Sequence, residues 1–250
     1  MLRLNGVDVR PAHRGEFRVL IAARSAGLGQ LRGYLAADLL RRYSERTGLA
    51  PTVIDLLPAG DAGLRAACDR LNIHPPGHTM TAPFDAGQLA GQFPDGIREP
   101  VFDAGVREAG EPAGPAVEGL AGTWLEVPGG GPAPGGERIE LGEEPLAVRM
   151  NLMRYRPEDD LKADLSPDDG ELAQWRELVA RWARSPSGAM SRPHADAITA
   201  AFADGLDAPA ALRELASLAG DASVPDGVKF ETFAAADRLL GLDLARDVGR

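Results

Sequence analysis

Residues 17–43, FRVLIAARSAGLGQLRGYLAADLLRRY, constrain this chain more than any other stretch. Residues 17–23 form a short apolar run with the composition of a buried strand. A turn containing Gly27 and Gly29 follows, and from Leu31 to about Tyr43 leucine and alanine recur at helical spacing. A strand that passes through glycines onto a helix N-terminus predicts the opening of a nucleotide-binding α/β domain. The first-turn amides of such a helix have no intrahelical partner and favour anions.

The next segments extend this unit. Gly48 is a helix stop, and the β-branched run PTVIDLL at 51–57 predicts a second buried strand. Strand, helix and strand within this length make a right-handed βαβ unit with parallel strands. Asp61 is placed to cap a helix over 62–71 with Leu64, Ala67, Cys68 and Leu71 on one face. Residues 73–85 carry three prolines and a glycine and read as a loop, with a short helix expected at 84–93. Between 94 and 145 glycine and proline dominate. PGGGPAPGGE at 128–137 predicts a flexible surface loop, with strands expected at 98–102 and 122–127.

The last hundred residues change character. Helical spacing recurs over 146–155, 171–183, 195–203, 209–219 and 230–240, with Pro209 placed for a first turn and Asp207 for its cap. The expected organisation is a Rossmann-like parallel-sheet domain over 1–145 and an all-α helical bundle over 146–250.

Charge narrows the partners. The chain carries a net −10, yet residues 1–50 hold nine arginines against four acids. Residues 51–150 hold six basic against fifteen acidic side chains, and the remainder twelve against eighteen. An acidic chain repels a phosphate backbone, so DNA is not expected as a partner and tRNA is disfavoured. No apolar run reaches membrane-span length and the N-terminus shows no signal-peptide pattern, so no membrane partner and a cytoplasmic location are expected. A single cysteine, Cys68, excludes an internal disulfide and a multi-cysteine metal site.

Individual side chains favour structural roles. His74 and His78 are separated by Pro75, Pro76 and Gly77, so they do not share a helical face and a metal pair is not expected. Cys68 reads as a small core residue. Trp175 and Trp182, seven apart, lie on one helix face and predict packing. Arg41, Arg42 and Arg46 read as a solvated helix face. Ser25 has no histidine partner at a spacing that signals a hydrolase.

Four segments carry a family resemblance. RGYLAADLLRRY at 32–43 resembles the helix after the HIGH motif of the cysteinyl-tRNA synthetase group of class I synthetases, which includes the mycothiol-pathway cysteine ligase. FADGLDAPAALREL at 202–215 is similar to the group's C-terminal helices, and residues 146–155 with 175–182 to the helices after its second signature. The resemblance implies a class I (HUP-type) Rossmann-like sheet followed by a helical domain, with ATP as the cofactor.

The chain departs from that group where its chemistry lies. Aligned on the HIGH motif it reads Gly27-Leu28-Gly29-Gln30, without either histidine. Gly29 keeps the close backbone approach, and Gln30 offers one uncharged hydrogen bond. The interval EVPGGGPAPGGERIELGEEP at 126–145, where the resemblance places the KMSKS lysines, contains no lysine and only Arg138 as a cation. The cysteine that binds zinc in the group is absent near 22–24, so no zinc is expected. Positive charge at the transferring phosphates is usually the main catalytic contribution in such reactions. The sequence therefore reads as a degenerate, non-aminoacylating relative that binds a nucleotide, an adenylate-like metabolite or a protein. Gly27, Gly29 and Gln30 are its nucleotide-binding candidates, and no catalytic residue is assigned. The alternatives are an active ATP-dependent ligase with replaced signatures and a tRNA-binding protein.

Overall fold

The apolar run of the opening stretch forms the central strand of a parallel sheet in a computed structural model of the chain, and the helix after it is buried over most of its length. The structure describes residues 1–11, 15–22, 28–56, 62–80, 102–110, 122–128, 141–161 and 169–250. In chain order the described strands and helices are β1 (Leu2–Leu4), β2 (Val7–Val9), β3 (Glu16–Ala22), α1 (Leu28–Arg46), β4 (Ala50–Asp55), α2 (Ala62–Arg70), β5 (His78–Thr79), β6 (Ala104–Glu108) and β7 (Thr123–Val127). Five helices follow: α3 (Pro145–Leu152), α4 (Asp169–Trp182), α5 (Arg192–Ala203), α6 (Ala208–Gly220) and α7 (Asp226–Leu240).

β1 and β2 make a small antiparallel hairpin. The larger sheet has the order β5-β4-β3-β6-β7, and every pairing in it is parallel. This is a Rossmann-like α/β sheet accompanied by a helical region. The chain builds outward from β3 through β4 to β5, then returns to the other side of β3 with β6. The strand order thus reverses between β3 and β6, where Val19 to Ala22 register against Ala104 to Arg107.

α1 is buried from Gly29 to Leu40 and again over Arg42, Tyr43 and Ser44. One side packs on β3, β4 and β6, and another packs on α7. Leu31, Leu35 and Leu39 therefore belong to the same apolar cluster as Val19, Ile21 and Val106 of the sheet and as Val148, Phe233 and Leu239 of the helical region. Within that region Trp175 and Trp182 of α4 hold Phe233 of α7 edge-on, at centroid distances of 5.6 and 5.1 Å. The two tryptophans are packing residues, as their spacing predicts.

α6 starts as its sequence indicates. Pro209 occupies the first turn, and the Asp207 carboxylate accepts a hydrogen bond from the Ala210 amide at 2.8 Å. The same carboxylate pairs with Arg156. Replacing Asp207 with alanine removes a cap and an ion pair together, with an expected loss of about 1–2 kcal/mol. Urea denaturation checks this value.

Several boundaries differ from expectation. α1 begins at Leu28, three residues before the predicted start, so Gly29 lies inside the first helical turn and not in the connecting turn. Helix formation there is inexpensive, because first-turn amides form no intrahelical bond in any case. β6 lies at Ala104–Glu108, whereas a strand was expected at 98–102; Phe102, the described residue of that range, is outside any strand. The glycine at 105 hides β6 from a propensity reading. It is required because a Cβ there would collide with the Trp124 indole and the Phe102 ring. The helix expected at 84–93, and all but Pro128 of the loop expected at 128–137, lie outside the described residues.

Candidate functional site

In an open parallel sheet, ligands bind beyond the carboxyl ends of the strands where the strand order reverses. Here that place lies between the ends of β3 and β6, with α1 beginning beside it. Gly27 lies outside the described residues. Gly29 and Gln30 occupy the first turn of α1, and both are buried.

Gln30 opens a row that sequence reasoning overlooked. Gln30, Tyr34, Asp38 and Arg42 are each four apart, so they form one ridge along α1. All four are buried, in a helix whose other buried positions are mostly leucine and alanine. A polar residue every fourth position on an otherwise apolar helix was the available signal. The Tyr34 hydroxyl donates to the Asp55 carboxylate at the carboxyl end of β4. One turn further along, Asp38 is the anion of a buried cluster.

That cluster has a clear physical origin. The last carbonyls of a helix have no intrahelical donor and carry partial negative charge. The ends of α2 and α7 meet beside α1, and two guanidinium groups serve both. Arg149 donates to the carbonyls of Leu71, Asn72 and Leu240 at 3.0, 3.1 and 2.6 Å. Arg42 donates to the carbonyls of Asn72 and Arg238 at 2.8 and 3.3 Å. Asp38 balances them, accepting from Arg42 at 2.7 Å and from Arg149 at 2.8 Å. The Asn72 side chain closes the arrangement with a 3.0 Å bond to the Gly241 carbonyl. Gly241 itself has φ 66°, and a Cβ there would come within 2.8 Å of the Arg42 guanidinium carbon.

The ionisation of the cluster follows from these contacts. Burial pushes the Asp38 carboxyl up, but its bond with His74 and the charges of Arg149 and Arg42 outweigh burial and hold it well below the usual carboxylate range. The neighbouring Asp237 is raised by burial, although the Leu244 and Leu242 amides donate to it at 3.0 and 2.8 Å. The expected solvated arginine face on α1 therefore needs correction. Arg46 is exposed, but Arg42 is buried and Arg41 is mostly covered, because both turn onto Asp38.

The remaining candidates separate. His74 lies beside Arg41, its Nδ1 2.8 Å from an Arg41 nitrogen, while His78 is on β5 at the sheet edge. Among the described residues no group of three or more His, Cys, Asp or Glu is placed to hold a metal ion. Cys68 is buried, and burial, with Asp69, Asp38 and Asp55 nearby, pushes its thiol up to about 12. It is a core residue and not an activated nucleophile. Arg32, also buried, donates to the carbonyls of Arg156, Pro157 and Asp159, and so ties the first turn of α1 to the chain following α3.

On the far side of the strand-order reversal stands Arg107, in register with Ala22 at the end of β3. Its guanidinium donates to Glu126 of β7, with Nε to Oε1 at 3.1 Å, and lies 5.5 Å from the Trp124 ring centroid. Trp124 in turn packs against Phe102 at 4.7 Å.

No family model matches the chain. Among curated proteins it is similar to an L-cysteine:1D-myo-inositol 2-amino-2-deoxy-alpha-D-glucopyranoside ligase of Cellulomonas flavigena, with 35% identity over 109 residues. The match covers 40% of this chain and 25% of that ligase. The chain thus spans about a quarter of the curated relative it matches. No helix of the described structure is long and apolar enough to cross a membrane.

Proposed function

We propose that the chain is a ligase-derived protein that binds a nucleotide or adenylate-like ligand at the carboxyl edge between β3 and β6 and does not aminoacylate. Its phosphate-side residues are Gly29 and Gln30 in the first turn of α1 together with Gly27, which lies outside the described residues. The reading rests chiefly on one observation: β3 leads to the N-terminus of α1 where the strand order reverses. The partial similarity to a cysteine ligase supports an ATP-related origin for this scaffold. The missing HIGH histidines and the missing lysines of the second signature support binding without rapid adenylate formation.

Calorimetric titration with ATP and AMP, run beside ATP–pyrophosphate exchange over all amino acids, tests the proposal. Binding without exchange is the expected result. Robust exchange with cysteine would instead establish an active ATP-dependent ligase, the reading that the similar ligase favours. Absence of both nucleotide binding and exchange would leave a protein partner as the ligand. Retention of tRNA in a gel shift at moderate salt would favour the tRNA-binding alternative that the acidic charge disfavours.

A further inference from the structure

We propose that the C-terminal end of α1 and the facing row of α7 form a docking groove for an acidic peptide segment of a protein partner. The groove begins about 18 Å along α1 from Gln30. It is separate from the nucleotide reading and stands or falls on its own.

Two rows of side chains build the groove. Arg42 and Arg46 lie one helical turn apart on α1, and Ala234 and Arg238 do the same on α7. The Arg42 guanidinium donates to the Arg238 carbonyl at 3.3 Å, which sets the rows side by side. Ala234 and Arg238 line both of two adjoining clefts, each of about 460 Å³. The first cleft also takes in Arg70, Asn72 and Asp243, and the second Arg46, Glu231 and residues 187–190. That last segment is pinned to α7. The Ser187 hydroxyl donates to Glu231 at 2.8 Å, and the Ser191 amide to the Thr232 hydroxyl at 2.9 Å. A Cβ at Gly188 would come within 2.9 Å of Val228, so the backbone there lies directly against the helix. Walls fixed in this way lower the ordering cost of binding.

The lining selects the occupant. Arg46, Arg70 and Arg238 each stand in the last turn of their helix, where a cation complements the terminal carbonyls. At the ends of α2 and α7, however, the buried Arg42 and Arg149 already serve those carbonyls. The three last-turn arginines are exposed, and none forms an ion pair among the described residues. Three unpaired cations thus converge on one face of a chain with net charge −10. Their natural partners are carboxylates. Glu231 and Asp243 stand among them and offer acceptors to peptide N–H groups, whereas a chain of phosphates would be repelled by both. Ala234, Ala235 and Ala189 supply a small apolar floor. Met190, also in the lining, is 41% exposed, an apolar contact left open to solvent. Acidic side chains alternating with small apolar ones match cations set over such a floor.

Fluorescence anisotropy tests the groove with three labelled probes: an octapeptide of alternating glutamate and alanine, its glutamine–alanine counterpart, and an oligothymidylate of the same length. The acidic peptide alone is expected to bind, and more weakly as sodium chloride is raised. Arg46→Gln combined with Arg238→Gln is expected to weaken that binding about tenfold, the scale of two partly exposed ion pairs. Both side chains are exposed, so the fold should persist, which circular dichroism checks. Arg46→Lys combined with Arg238→Lys should keep most of the affinity, and Glu231→Gln should leave it at or above that of the unmodified protein. Equal affinity for the two peptides, an unchanged affinity in the double glutamine variant, or no binding of the acidic peptide at millimolar concentration would each overturn the proposal. Oligothymidylate binding as tight as that of the acidic peptide, and lost in the same variant, would overturn it in favour of a nucleic-acid surface.

Discussion

Replacing Asp38 with alanine is expected to destabilise the protein by about 3–5 kcal/mol, the scale for removing one partner of a buried charge cluster. Arg42 and Arg149 would remain buried with their carbonyl bonds but without the anion between them. Urea denaturation followed by circular dichroism measures the loss. A change below about 1 kcal/mol would mean that water or a rearranged carboxylate substitutes for Asp38, and would remove the cluster as a major stabilising feature. Asp38→Asn, which keeps the shape and removes the charge, isolates the electrostatic part.

The same residue sets an acid limit. Its folded-state carboxyl titrates below its unfolded value of about 3.9. Its contribution is therefore fully present above the unfolded value and is lost as the pH falls from there toward the folded one. Asp237 acts in the opposite sense, because burial raises it; its contribution is present at low pH and is lost as the pH rises through the raised value. The Asp38 effect is thus read as a difference. Below about pH 4 the stability gap between the unmodified protein and Asp38→Asn is expected to close.

Phe233→Ala is the second large effect, at about 3–5 kcal/mol from lost burial and the cavity left behind. Phe233 is fully buried and makes edge contacts with two tryptophans on α4. Such ring pairs contribute about 0.5–1.5 kcal/mol beyond area alone. Near-UV circular dichroism should weaken in the same variant, because Trp175 and Trp182 lose the ring that orders them. An unchanged near-UV spectrum with an unchanged urea midpoint would show that α4 and α7 can repack without Phe233.

The α/β opening and the helical tail were legible because periodicity reports local structure. The run at 17–23 and the leucines after Leu31 carry the periods of strand and helix, and Asp207 and Pro209 carry the chemistry of a helix start. β6 was not legible. Its glycine serves a contact with Trp124 and Phe102, and a tertiary requirement of that kind leaves no local signature. The arginines of α1 show the same limit. Their spacing identifies a helix surface, but only the arrival of α2 and α7 turns that surface inward. The Asp38 cluster was partly legible, in the four-residue spacing of Gln30, Tyr34, Asp38 and Arg42. Its partner Arg149 lies 111 positions from Asp38 and could be assigned only from the fold.

The enclosure of α1 has a consequence for hydrogen exchange. A helix covered by the sheet on one side and by α7 on another has few ways to expose its amides by local opening. Deuterium uptake in the middle of α1 should therefore follow opening of the whole molecule, not fraying of a part. If so, the protection of this one helix reports how firmly the parallel sheet and the helical region are joined.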